Sequence, residues 1–228
     1  MKIRNSFKDL TKTERTIWLS SLAVIALTSV LVPNPDIFST VASLIGVTAL
    51  IFVAKGYVLG QVLTIFFSLF YGVVSWFFQY YGEMITYLGM SAPAALAATI
   101  SWLKNPYKNS AEVKVARLTG KKFCVLLGVT ALVTAAFYFI LGALNTANLA
   151  VSTVSVSTSF LAATLLIFRS PFYALAYALN DIVLIVLWIL AAKSDSSCVP
   201  MITCFTMFLI NDLYGFIQWS RMQKRQSI

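Results

Sequence analysis

The segment 169–221 reads RSPFYALAYALNDIVLIVLWILAAKSDSSCVPMITCFTMFLINDLYGFIQWSR. It contains two apolar runs, and each carries an Asn-Asp pair near its middle, Asn180-Asp181 and Asn211-Asp212. A carboxylate at the centre of a membrane helix costs about 2.5–3.5 kcal/mol on insertion scales, so such residues usually line a cavity or a path. Asn180 lies eleven residues after Arg169, and Asn211 ten before Arg221. At about 1.5 Å per residue both pairs sit roughly 15 Å from a charged end, half of a hydrocarbon core of about 30 Å. Two polar pairs at one depth predict a substrate site at the midplane.

Working outward, the chain is 59% hydrophobic and only 11% charged, far from soluble usage. It reads as an all-α polytopic membrane protein. About eight apolar runs are long enough to span: 16–31, 37–54, 57–80, 84–103, 123–144, 149–168, 171–192 and 198–219. With both termini cytoplasmic, sixteen of the seventeen Lys and Arg residues fall inside and only Lys193 outside. The net charge of +9 therefore reports orientation rather than nucleic-acid binding, with anionic membrane lipid a secondary partner. Val32-Pro33-Asn34-Pro35 offers no small-residue cleavage site, so the first run is expected to stay as a span, closed by a turn at the prolines.

Cys124, Cys198 and Cys204 are odd in number and lack metal spacing, and read as buried thiols. The absence of histidine excludes His-based triads, imidazole metal sites and His proton relays. Phosphate cradles and nucleophile elbows are missing too, so no cofactor, no metal and no catalytic residue is expected.

The third span places Tyr57, Gln61, Thr64, Ser68, Tyr71, Ser75 and Gln79 at three- and four-residue steps, one polar stripe on one helix face. Ser and Thr also bond between packed helices, but seven polar groups in register point to a cavity-lining face. Tyr81-Gly82-Glu83 reads as a tight external turn. The fourth span carries Tyr87 early and Pro93 near its middle, where a freed carbonyl either borders a site or marks a plain kink. Asn105 to Lys122 is a basic loop with a solvated, orientation-setting face, and the fifth span is an apolar connector facing lipid. In the seventh, Tyr173, Tyr177, Asn180, Leu184 and Trp188 share a face with Asp181 at its edge; in the eighth, Met207, Asn211, Tyr214 and Gln218 align likewise.

A repeat underlies these spans. Shifting by 116 puts Tyr57 on Tyr173, Gln61 on Tyr177 and Thr64 on Asn180, and Ile-x-Trp-x-basic closes both the fourth and eighth spans. The offset is four spans, so two parallel three-helix units are predicted, as in SWEET-like transporters. The expected division is tail and first span 1–36, first unit 37–104, basic loop and linker span 105–148, second unit 149–222 and tail 223–228.

Across roughly residues 37–222 the chain resembles the PnuC family of bacterial nicotinamide riboside transporters. The resemblance rests on Lys55-Gly56-Tyr57, Tyr80-Tyr81-Gly82, Tyr177-Ala178-Leu179-Asn180, Leu209-Ile210-Asn211 and the terminal aromatic-Trp-basic close. Ala98-Thr99-Ile100-Ser101-Trp102 lacks the Gly-Trp pair that often precedes this Trp in the family. The resemblance implies uptake of a vitamin-like nucleoside across the inner membrane by facilitated diffusion, with trapping by a cytosolic kinase. Relatives that carry thiamine or riboflavin leave the ligand more open than the mechanism.

Nicotinamide riboside needs an aromatic platform, amide or carboxylate partners and groups for its ribose. Trp188, Tyr177 and Tyr214 offer stacking and cation–π contact, and Asn180, Asn211, Gln61 and Gln218 both donate and accept. Asp181 or Asp212 balances the cation, or else serves a helix-to-helix hydrogen bond. With Thr64, Ser68 and Tyr87 these residues form the expected substrate-binding set, around which one unit rocks against the other with Pro93 and Pro171 as hinge points. A homo-oligomer is left open, a trimer being the guess. The alternatives are a proton-driven carrier using one Asp and an intramembrane aspartyl protease. Against the protease, the Asp residues lack a Gly-x-Gly-Asp context and Pro93 lies outside any Pro-Ala-Leu element.

Overall fold

Inside hydrocarbon every backbone N–H and C=O needs an internal partner, and a helix supplies it segment by segment. A computed structural model, describing residues 6–32, 36–108, 110–193 and 196–227, meets that demand with eight helices long and apolar enough to cross a membrane. They are α1 (Lys12–Leu31), α2 (Ile37–Ala54), α3 (Val58–Phe77), α4 (Tyr81–Lys104), α5 (Gly120–Ala143), α6 (Leu149–Ile167), α7 (Phe172–Ala192) and α8 (Val199–Gln226). The turn expected at Pro33-Asn34-Pro35 lies outside the described residues.

Local chemistry sets the ends. A capping box, in which Thr11 and Glu14 exchange side-chain and backbone bonds, starts α1 four residues earlier than the apolar run suggests. α2, α3, α5 and α6 each close with paired 6→1 and 5→2 backbone bonds around a left-handed residue: Gly56, Gln79, Asn145 and Arg169. Gln79, at φ +57°, thereby leaves the polar stripe and becomes the turn between α3 and α4. Tyr81-Gly82-Glu83 is consequently not an external turn but the first turn of α4, with Glu83 fully buried. Pro93 cannot donate to Gly89, and the chain accommodates it by widening to a π-helix over Thr86–Ser91. Pro171 opens α7 rather than breaking it.

α2 packs on α3, α3 on α4, α4 on α6, α6 on α7, α7 on α8, and α8 back on α2. Six helices thus close a ring. In each half, α2–α4 and α6–α8, the middle helix touches both neighbours, while the outer two meet the other half. α1 lies outside on the α2–α8 seam, and α5 packs on α6 with Val125, Leu132 and Phe139 exposed to the surroundings. Cys124, on that outer helix, is exposed rather than buried; Cys198 and Cys204 are buried.

The end of the ring that carries Lys55, Arg169 and Arg221 is strapped. Val113 N–H donates to Gly56 O and Ala116 N–H to Arg169 O, so the 105–119 loop holds both halves. Gln226 accepts from Val115 N–H and donates to Val113 O, and Arg225 pairs with Glu112. This clamp explains why α8 runs seven residues beyond Trp219.

Small residues bring the helices close. A methyl on Gly60 would lie 2.4 Å from Val53 N and 2.8 Å from Phe52 C, both backbone atoms that cannot yield. Gly60→Ala should therefore lose about 1–3 kcal/mol by overpacking, seen as a lower thermal unfolding midpoint in detergent. Gly128→Ala, with nothing within 4 Å of the added carbon, should show no such loss.

Candidate functional site

At the centre of the ring is a cavity to which all six helices contribute. α2 gives Gly46, Ala49, Leu50 and Val53; α3 gives Thr64, Phe67 and Ser68; α4 gives Tyr87 and Ser91. α6 adds Leu166, α7 adds Tyr173, Tyr177, Asn180 and Asp181, and α8 adds Phe208 and Asp212. Its volume, about 50 Å³, is well below that of sites enclosing small ligands, about 300–1,000 Å³. The walls must part before such a ligand enters. Gly46 is part of the reason the walls meet: the Phe208 ring sits where a methyl on Gly46 would go, 2.2 Å from its Cζ.

The chemistry of the lining is lopsided. Asp181 and Asp212, 2% and 3% exposed, face each other within hydrogen-bonding reach across the α7–α8 contact. Asp181 Oδ2 has no protein partner, and no Lys or Arg lines the cavity. Asn180 is held from behind: its Oδ1 is faced by the hydroxyls of Thr158 at 2.7 Å, Ser159 at 3.0 Å and Ser155 at 3.5 Å, all on α6. That fixes the amide through its oxygen while the residue lines the cavity. Tyr87 stands edge-on to Tyr71, with ring centroids 4.3 Å apart, and to Phe67 at 5.6 Å. Aromatic edges and carboxyls therefore surround one small space.

Of the twelve residues expected to bind substrate, Thr64, Ser68, Tyr87, Tyr177, Asn180, Asp181 and Asp212 line this cavity. The other five are elsewhere. Asn211 turns outward to α1, donating to Ser21 Oγ at 3.3 Å and to Met207 O at 2.8 Å. Asn180 and Asn211, expected to converge, thus point to separate partners; the pair that meets is Asp181 and Asp212. Tyr214 and Gln218 bond each other at 2.8 Å on the α1 side, with Glu14 3.4 Å from Gln218. Trp188 is fully buried and donates to Tyr71 Oη at 2.8 Å, among Phe78 and Tyr80. Gln61 is enclosed one turn from Thr64 with neither amide atom partnered. Phe67, Ser91 and Phe208 were not expected; the two Phe sit in apolar runs with nothing to mark them. Tyr173 shared the predicted face of α7, and that signal could have found it.

A closed ring of helices long and apolar enough to cross a membrane, around a largely apolar chamber that carries two carboxyls, is the architecture of a multi-pass membrane transporter. Residues 36–221 match the family described as nicotinamide mononucleotide transporter, and the chain belongs to that family. It is 28% identical to the nicotinamide riboside transporter PnuC of Neisseria mucosa over 204 residues, 87% of this chain and 78% of that one. It is 24% identical to the nicotinamide riboside transporter PnuC of Haemophilus influenzae over 227 residues, 98% and 97% of the two chains. A crystal structure of the vitamin B3 transporter PnuC superposes with a TM-score of 0.84 at 27% identity, covering 95% of this chain and 94% of that one. These relatives are transporters, not enzymes, which sets aside the aspartyl-protease alternative.

The Trp188–Tyr71 bond joins α7 to α3 and so ties one half to the other. A double-mutant cycle with Trp188→Phe and Tyr71→Phe should give a coupling of about 0.5–1.5 kcal/mol, read from unfolding midpoints. Additive effects would mean the bond contributes nothing.

Proposed function

We propose that this protein carries nicotinamide riboside across the membrane, with the central cavity as its binding site. The observation that carries the reading is an acidic pair, Asp181 and Asp212, in a chamber that no Lys or Arg lines. The family's description names the mononucleotide and the two relatives are named for the riboside, so the lining has to decide. A phosphate adds about −1.5 to −2 charges and would meet two carboxyls with no cation to pair with. The riboside has a cationic ring and no phosphate. It suits the site.

In this reading the nicotinamide ring lies against Tyr87 and Tyr177, where cation–π contact contributes about 0.5–2 kcal/mol. Asn180 Nδ2 meets the carboxamide, Thr64 and Ser68 meet ribose hydroxyls, and the Asp pair balances the ring's charge. Because the cavity is too narrow for the ligand, entry and exit require the halves to rock apart in turn around it. In this reading transport is facilitated diffusion, drawn inward by a cytosolic kinase that phosphorylates the riboside. The basic end faces the cytoplasm, with both termini there, in the inner membrane of a bacterium.

Proteoliposomes containing the full chain should take up labelled riboside saturably, without an ion gradient, and unlabelled mononucleotide, thiamine and riboflavin should compete poorly. Asp181→Asn should raise KM about tenfold by loss of a charge-assisted contact, whereas Asn211→Ala should leave KM unchanged. Preference for the mononucleotide would sink the assignment. Uptake that an uncoupler abolishes, with no kinase present, would favour the proton-driven carrier.

A further inference from the structure

Glu83 is the most anomalous side chain in the molecule. It is fully buried, neither carboxyl oxygen has a hydrogen-bond partner, and no Lys or Arg pairs with it among the described residues. The Ser155 hydroxyl stands near both Glu83 and Asn180 Oδ1, 3.5 Å from the latter, and is the one group close enough to share with the carboxyl among the described residues. Glu83 occupies the first turn of α4, at the end of the ring away from the basic strap. Tyr87, which lines the central cavity, stands four residues further along the same helix. An i, i+4 pair lies about 5–6 Å apart on one face, so Glu83 stands one turn outside the cavity wall.

Other unsatisfied groups extend that line. On α3 the buried and unpartnered Gln61, Ser68 and Ser75 recur at steps of seven. Seven residues are two turns, about 10 Å of rise, so the three follow one line down the helix. Ser68 is at the cavity; Gln61 lies toward the basic end and Ser75 toward the other. Thr86, also buried and unpartnered, sits on α4 three residues from Glu83. A seam between packed helices normally satisfies its polar atoms, because each orphan costs free energy. A seam that opens to a polar ligand has to keep them unspent. Here the seam is shut from above by Trp188, Tyr80 and Phe78, with Tyr80 Oη donating to Leu187 O at 3.2 Å.

We propose that Glu83 is a second recognition point for a flat, cationic heteroaromatic ligand, on the route between the unstrapped end and the central cavity. The inference rests on the transport reading above and extends it. Tyr80 stands at the N-cap of the helix that carries Glu83, and Tyr87, one turn along, packs edge-on against Tyr71; a carboxylate beside aromatic rings is the combination that favours an organic cation over a neutral analogue. Thr86, three residues along the same helix, supplies a hydroxyl on the same side. The ligand meets Glu83 once the aromatic plug parts, then moves one helical turn inward to Asp181 and Asp212.

The test compares labelled nicotinamide riboside with its neutral 1,4-dihydro form as unlabelled competitor, using full-length protein in proteoliposomes. Glu83→Gln, which keeps shape and hydrogen-bonding capacity, should raise KM for the cation about tenfold while the competitor's inhibition constant stays put. Glu83→Asp should recover most of the cation preference. Equal weakening toward both ligands, or an unchanged KM, overturns the role of Glu83. A second measurement needs no variant: riboside should slow labelling of Glu83 by a hydrophobic carbodiimide, followed peptide by peptide by mass spectrometry. Unaltered labelling also overturns it. Wild-type protein that moves no riboside at all would remove the transport reading and this inference together, whereas wild-type influx with an indifferent Glu83→Gln removes this inference alone.

Discussion

Polar atoms withdrawn from water inside a ring of apolar helices set the terms for this structure. Each one left unpaired costs about 1–3 kcal/mol. The molecule handles them in two ways. Some are spent between helices: Asn180 Oδ1 on three hydroxyls of α6, Trp219 Nε1 on Val53 O at 2.9 Å, Trp188 Nε1 on Tyr71. Others are left wholly or partly unspent, Ser68 and Asp181 at the cavity, Gln61, Ser75 and Glu83 beyond it, and Trp102 Nε1 and Asn211 Oδ1 away from it. The first set fixes the helices.

The eight spans were legible because hydropathy acts over about twenty residues and needs no knowledge of neighbours. What could not be read was helix rotation. Asn211 and Asp212 are consecutive, so about 100° separates them around α8, and either could have faced the ring. The outcome depends on α1, whose Ser21 takes the Asn211 amide from outside and leaves Asp212 to the cavity. Nothing in the Asn-Asp pair reveals that partner. In α7 no comparable outer helix competes, and both members of the pair reach the wall.

Glu83 shows a different limit. Tyr-Gly-Glu looks like a loop because glycine and a charged residue favour turns, but a left-handed residue was available two positions earlier. Gln79 took the turn, α4 began at Tyr81, and the glutamate was carried inside. Gly82 then serves packing rather than flexibility, since a methyl there would lie 3.2 Å from Leu141 Cδ1 and 3.3 Å from Ser152 Cβ. Phe67 and Phe208 left no trace in the sequence because an aromatic ring that closes a cavity and one that fills a core have the same hydropathy.

The two ends of the ring are closed by different kinds of contact, and the difference bears on how they can open. At the basic end the 105–119 loop bonds backbone to backbone with Gly56 and Arg169, one in each half, and Trp219 packs on Trp102 at 5.4 Å and Tyr173 at 4.9 Å. Backbone bonds through a covalently continuous strap can hinge, but they cannot part without freeing several groups at once. At the other end the closure is side chain on side chain: Trp188 to Tyr71, Tyr80 to Leu187 O, and Asn148 to Tyr80 at 3.4 Å. Side chains change rotamer far faster than packed helices move, and a ring that swings aside exposes Ser75 and Glu83, whose polar atoms gain water as it goes. The desolvation that strains the closed state is thereby relieved at the aromatic end. In the proposed transport cycle, Glu83 would lower the cost of opening at the place where it would also attract a cation.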